Sequence, residues 1–480
     1  MTTAIALTLA AYLLLLWAMS AIASRRAANA DYFIGSRRTS WWVATISMVS
    51  AAMSGVTFIS VPGMVLTEHF SYLQMFVGFA IGYVVIAFVL VPIYYRNSSA
   101  SIYGYFDERF GTSARRSAAW LFAIAKIIGA AIRLYVICHI MQLLLFKSLG
   151  VPFAVTAAAA VAYSAAYTFR GGVKSIVWCD MLKTFSMVAS IICCVAIVAS
   201  RSEMSLGEAW QWSWHSDYSQ IWCFDSSSPR YFIKQIIGGL FIVIATTGID
   251  QDVMQRTISC PKRSDAQKNM LISIVLQCVV VVALLWLGSL MYNYAATEGI
   301  TAAGDDLFAA VATHHTMPIV VAMLFTVGVT AATFSASGSA LTALTTSFTL
   351  DVLGGAELEE GRLTRLRHRT TIVLAVVMFL IIVLTHLFSA DSIIDTVYRL
   401  ASYTYGPILG LFIFGIFTRR GLRRRAATVV GIVAPLLCVT LDKLSATLFC
   451  GYGFGYELLA INALISFVGL WLLSCPRKKS

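Results

Sequence analysis

The chain has 480 residues, of which 59% are hydrophobic and only 12% charged. A soluble protein of this length needs far more polar surface to cover its core, so soluble enzymes and soluble structural proteins are excluded. The net charge of +12 does not imply nucleic acid, because the basic residues sit in short clusters between apolar runs and build no basic face.

About 13 apolar segments have roughly the 20-residue length that crosses a bilayer core. The first covers 4–23. No positive charge precedes it and Arg25 and Arg26 follow it, which favours an uncleaved helix with its N-terminus outside over a signal peptide cut after Ala23. An interrupted segment at 41–66 comes next, then 70–95, 117–147, 151–169 and 173–200. A polar stretch at 201–230 carries Trp210, Trp212, Trp214 and Trp222, which suits an aromatic band at the outer interface. After it come 231–254, 269–296, 316–350, 370–390, 391–417, 425–447 and 455–474. With the N-terminus outside, 26 of the 35 Lys and Arg residues fall in inside segments and 5 outside. The positive-inside rule thus supports a multi-pass protein of the cell's inner (plasma) membrane with a cytoplasmic C-terminus.

The ten cysteines form no Cys-x-x-Cys pair, and no His cluster has ligand spacing, so a metal or disulfide framework has little support. Cys223 and Cys450 share the outer side. No P-loop, His-Glu-x-x-His or Gly-x-Ser-x-Gly motif is present, and nothing gathers a nucleophile with a base, so the reading is not an enzyme.

The informative residues are polar ones inside apolar runs. In Ser50-Ala51-Ala52-Met53-Ser54-Gly55-Val56-Thr57, followed by Pro62, small and hydroxyl residues stand where lipid contact would favour Leu or Ile. Broken helices of this character bind ions and solutes in transporters, although close helix packing through small residues gives the same composition. The stretch 331–339, with Thr333, Ser335, Ser337 and Ser339, repeats it. Hydroxyls without a carboxylate suit a hard monovalent cation, or simply bond back to their own helix. Lys126 and Arg133, seven residues apart, share one helix face about 10 Å apart. Either can bind a solute carboxylate or form an ion pair within the bundle. Asp180 with Lys183, and Asp395 with Arg399, have the spacing of pairs. Asp250 and Asp252 are assigned an interfacial role before an inside basic cluster, and His139 and His386 a structural one.

Several stretches together resemble the sodium:solute symporter family. Asp31-Tyr32-Phe33-Ile34-Gly35 with Trp41-Trp42 is similar to the loop before its first core helix, and Tyr167-Thr168-Phe169-Arg170-Gly171-Gly172 through Asp180 is similar to another landmark. Asp250-Gln251-Asp252-Val253-Met254-Gln255-Arg256, the Ser/Thr helix ending at Asp351, and Tyr405-Gly406-Pro407 to Arg420 follow in family order. The resemblance implies an all-α, leucine-transporter-type fold in one transmembrane domain. It comprises an extra helix at 4–23, a first five-helix repeat at 41–200, an inverted second repeat at 231–417, and two extra helices at 425–474.

It also implies sodium-coupled uptake of a small organic solute by alternating access, with Na+ as coupling ion and the bilayer as setting. No nucleic acid and no obligate protein partner are implied. Sodium would be held by the carbonyls of Ser50, Met53 and Ala332 and the hydroxyl of Ser335. The second hydroxyl of the family pattern falls on Ala336, which leaves a sodium-independent or proton-coupled carrier as the alternative. A second ion site would match Asp180, Ser335 and Ser339, with Gly338 where that pattern often has another hydroxyl. Ala52 stands where proline carriers have an aspartate. The Ser54-x-x-Thr57-Phe58 pattern resembles branches carrying sialic acid, monocarboxylates or other anions. Ser54, Thr57, Gln74 and Arg133 are the expected solute contacts, for an anionic sugar or carboxylate before a neutral sugar.

Overall fold

The structure is a computed structural model that describes residues 2–25, 27–96, 100–147, 150–226, 228, 230–388, 393–448, 454–455 and 457–476. The side chains of 335 and 393–398 lie outside this description, as does Cys450. The apolar runs fold as helices because a backbone in lipid must satisfy its polar groups internally. Among the described residues, eight helices are long and apolar enough to cross a membrane, or up to ten spans if each of two bent pairs is one. Three predicted segments fall on shorter apolar helices, Phe153–Thr168, Gly406–Phe417 and Leu458–Leu472, of 16, 12 and 15 residues. The all-α class is the observed one. The one sheet among the described residues is a two-residue antiparallel pairing of Gly421 and Leu422 with Cys475 and Ser474.

The expected interruption at 41–66 is a bend of 58° between Trp41–Ala52 and Gly55–Gly63. Met53 and Ser54 are extended there, and Ser54 Oγ caps the second half by accepting from the Thr57 N–H at 3.4 Å. The predicted 231–254 segment also breaks, between Phe232–Gly248 and Gln251–Ile258, with a 66° bend. Asp250 caps the second half, its Oδ1 accepting from the Asp252 N–H at 2.8 Å. The predicted 391–417 span is likewise two helices, Ile393–Thr404 and Gly406–Phe417. Pro407 has no N–H to continue the earlier ladder, so a helix starts there instead.

The 201–230 stretch contains a helix, Leu206–His215, that the aromatic pattern alone does not announce. Ser205 and Glu208 cap it reciprocally: the Ser205 N–H donates to the Glu208 carboxylate at 2.8 Å, which holds that carboxyl below its ordinary range, and the Glu208 N–H donates to Ser205 Oγ at 3.3 Å. Trp210 packs edge-on against Trp214 and Trp286. The long Ile319–Ser347 helix lies at the centre, against Val173–Arg201, Thr112–Met141 and both halves of the first broken helix. Gly55 makes the last of these contacts possible. A Cβ there would lie 1.9 Å from Thr333 Oγ1 and 3.1 Å from its Cβ.

Candidate functional site: two helix breaks around one cavity

Both breaks open onto one cavity of about 110 Å³. Ala51, Ala52, Met53 and Thr57 come from the first break, Thr246, Thr247, Asp250 and Asp252 from the second. Lys126, Gly129 and Arg133 line it from Thr112–Met141, and Tyr405 closes one side. A break exposes carbonyls at the end of one half-helix and amides at the start of the next, so this wall is polar although its side chains are mostly small.

The second break carries the charge. Asp250 and Asp252 are not interfacial: they are 1% and 4% exposed, and Arg256, counted with the inside basic cluster, is 0% exposed. The Lys126 ammonium donates to both Asp250 oxygens at 3.1 and 3.0 Å and lies 2.8 Å from Asp252 Oδ2. Tyr405 Oη donates to Asp250 Oδ2 at 2.6 Å. Arg256 bridges Asp252, at 2.6 Å, to Asp180, where its Nε donates to Oδ2 at 3.1 Å. Asp180 also accepts from Ser47 Oγ at 2.8 Å and from Lys183 at 3.4 Å, the latter being the expected i, i+3 pair. Of the two readings of Lys126, the ion pair within the bundle is therefore the observed one. A chain of alternating charge runs from the cavity wall to Lys183, because an unpaired charge at this depth would cost several kcal/mol.

Arg133 differs. It lines the cavity, half-exposed, and among the described residues it forms no ion pair. Thr57 also lines the cavity, but Ser54 and Gln74 do not. Gln74 is fully buried, and its amide ties the backbone of Arg230 and Cys223 at 3.2 Å each, so it braces the 201–230 stretch.

The expected ion-binding stretches do approach one another. Ser50, Met53, Ala332 and Ala336 are all buried, and the Gly55–Thr333 contact joins the first break to the Ile319–Ser347 helix. The Ser335 side chain lies outside the described residues. Thr333 Oγ1, which the family pattern does not assign, is buried at this contact and has no hydrogen-bond partner among the described residues. At the expected second ion site, Asp180 faces Arg256 and Lys183, and Ser339 Oγ donates to Asp252 Oδ2 at 3.3 Å. Gly338 has a steric reason: a Cβ there would lie 1.8 Å from the Tyr167 hydroxyl, which bonds Phe334 O at 2.5 Å and accepts from Lys183 at 3.1 Å.

Arg399 lies 3.7 Å from Asp442 Oδ2, and the side chain of Asp395, its expected partner, is outside the described residues. His386 stacks on Phe153 with ring centroids 3.8 Å apart. Asp250, Asp252, Arg256 and Tyr405 are the site residues that sequence reasoning missed. The available signal was Asp250 followed two residues later by Asp252, the pattern of a helix cap with an acidic first turn.

Two discontinuous helices meeting at a polar cavity inside a bundle of membrane-spanning helices define a secondary transporter. A family model described as the sodium:solute symporter family matches residues 32–433, and the chain belongs to that family. It is 25% identical over 451 residues to a sodium/sialic acid symporter, NanT, of Aliivibrio fischeri, covering 90% of this chain and 86% of that protein. It is also 25% identical over 450 residues to the sodium/sialic acid symporter SiaT of Proteus mirabilis, covering 88% and 86%. Among solved structures, a Na+-coupled sialic acid symporter in a substrate-bound outward-open state shares the fold, with a TM-score of 0.83, 20% identity and 99% of both chains covered. The protein is a multi-pass membrane transporter, and family membership favours sodium coupling over the sodium-independent alternative that Ala336 left open.

Proposed function

We propose that this transporter carries a small organic acid, of the sialic acid or monocarboxylate kind, together with one sodium ion, by alternating access around the cavity at the two breaks. One observation carries the reading of an anionic solute: among the described residues the cavity cation Arg133 forms no ion pair, whereas Lys126 is held by Asp250 and Asp252. A guanidinium grips a carboxylate through two parallel N–H bonds, and Thr57 lines the same cavity to meet a hydroxyl. The sodium lies where the first break meets the Ile319–Ser347 helix. Ser50, Met53 and Ala332 offer carbonyls, Ser335 a hydroxyl, and Thr333 Oγ1, three residues before Ala336 on the same helix, an additional buried oxygen.

A single sodium is the economical reading because Asp180 is already met by Arg256 and Lys183. The solute's negative charge and the ion's positive charge then cancel. The membrane potential, worth about 2.3 kcal/mol per charge at 100 mV, does no work on the pair. A tenfold sodium gradient alone, about 1.4 kcal/mol, accumulates the acid about tenfold. We place the N-terminus outside and the C-terminus in the cytoplasm, on the distribution of Lys and Arg. The 41–200 and 231–417 stretches are read as the two repeats, since each begins with a broken helix.

The test is uptake of labelled sialic acid and lactate into proteoliposomes, with a sodium gradient, a proton gradient or neither, and with or without a potassium-valinomycin potential. Sodium-dependent, potential-insensitive uptake is expected. Sodium-indifferent uptake overturns the coupling, and potential-driven uptake overturns the one-ion, one-anion stoichiometry. Ala336→Ser adds a hydroxyl beside the proposed ion and should tighten sodium dependence by about ten- to a hundredfold. Unchanged dependence removes the ion from this position.

A further inference from the structure

A second recess, of about 580 Å³, lies between the beginnings of the Thr112–Met141 and Ala426–Leu448 helices, away from the solute cavity. We propose that it binds an anionic phospholipid of the bilayer, with the phosphate held by Arg116 and Arg424 and the acyl chains laid along the apolar wall below them.

The arrangement follows from two parallel stripes. On one helix, Arg116, Trp120 and Ile124 recur every four residues and therefore share a face. On the other, Arg424 just precedes the first turn, and Thr428 and Ile432 continue at the same spacing. Both stripes run from charge to hydrocarbon over about 12 Å, at 1.5 Å of rise per residue. That is the order of headgroup and chain in a lipid leaflet. Trp120, Ile124 and Ile432 are 49%, 48% and 59% exposed, and their exposure is what a lipid-facing wall requires.

The charge is available. The nearby carboxylates Asp107 and Asp351 both face Arg115 instead. Among the described residues neither Arg116 nor Arg424 forms an ion pair, and both are exposed at the end of the bundle that also carries Arg109, Arg115, Arg419, Arg420, Arg423 and Arg425. Basic recesses between helices at such an end select anionic headgroups, whereas a zwitterionic headgroup brings its own cation and gains less.

The recess is also built. Ser113 Oγ donates to the Arg424 carbonyl at 2.6 Å, and the Ser117 and Thr428 hydroxyls lie 2.7 Å apart, so the two walls are tied together. Gly431 keeps the floor open. A Cβ there would already approach Leu121 Cδ1 to 3.0 Å, and a larger side chain would fill the space offered to a chain.

The test is native mass spectrometry of the full-length protein in detergent, titrated with equal amounts of a phosphatidylglycerol and the matching phosphatidylcholine. The wild type should retain the phosphatidylglycerol at least tenfold better. Arg116→Gln/Arg424→Gln should bring the two lipids to parity. Arg362→Gln/Arg365→Gln, which removes two exposed arginines elsewhere, should not. Gly431→Trp keeps both arginines and should lower the adduct by blocking the acyl track. Millimolar inorganic phosphate should displace little of the lipid. Equal retention of the two lipids by the wild type, undiminished preference in the Arg116/Arg424 variant, or an adduct unaffected by Gly431→Trp would each overturn the proposal. Full displacement by phosphate would do so too, since it would reduce the recess to a free-phosphate site.

Discussion

Lys126→Met tests whether the charge chain at the second break is a balanced unit. Three cations, Lys126, Lys183 and Arg256, face three carboxylates, Asp180, Asp250 and Asp252, so the buried cluster is neutral. Removing the ammonium leaves three acids against two bases, and among the described residues Asp250 keeps the Tyr405 hydroxyl and the Asp252 amide. Breaking a buried pair from one side costs about 3–5 kcal/mol. Asp250→Asn should cost less, about 1–3 kcal/mol, because Lys126 retains Asp252 at 2.8 Å. The double variant restores balance at two against two and should lose no more than about 3 kcal/mol, which makes the coupling energy at least about 1 kcal/mol and near 3 kcal/mol at mid-range. Equilibrium denaturant unfolding of the four detergent-solubilised proteins measures it. Additive losses, with coupling under about 0.5 kcal/mol, would refute the idea that Lys126 and Asp250 stabilise one another.

Arg133→Gln should raise KM for a carboxylate solute about ten- to a hundredfold while leaving the melting temperature unchanged, since among the described residues no ion pair is lost. An equal effect on an uncharged solute would show that the guanidinium does not read the charge. Gly55→Ala forces a Cβ to 1.9 Å from Thr333 Oγ1 and should weaken sodium activation of uptake, with partial recovery in Gly55→Ala/Thr333→Ala. No recovery would mean that their close approach is not what the ion requires. Gly338→Ser should destabilise by about 1–3 kcal/mol in the same unfolding assay, because the space is taken by the Tyr167 hydroxyl. A neutral effect would show that Tyr167 moves aside freely.

Much of this protein was legible without coordinates, and for physical reasons. A lipid-facing backbone has few options, so apolar length alone located the helices. The break at Met53–Ser54 could be read because it is written in small and hydroxyl residues within one short stretch. The break at Asp250 is marked by its cap pattern alone, and that pattern resembles an ordinary helix end beside a basic loop. Only the bundle shows that Lys126, 124 positions earlier, reaches it. The family landmarks likewise ordered the expected ion ligands along the chain, yet they were silent on why Gly338 lacks a side chain. That answer comes from Tyr167, on a different helix. Patterns within one helix are set by covalent spacing and are therefore present in the sequence. Which buried charge meets which, and which oxygen is left without a partner, depends on how helices distant in sequence pack, and tertiary structure alone decided it.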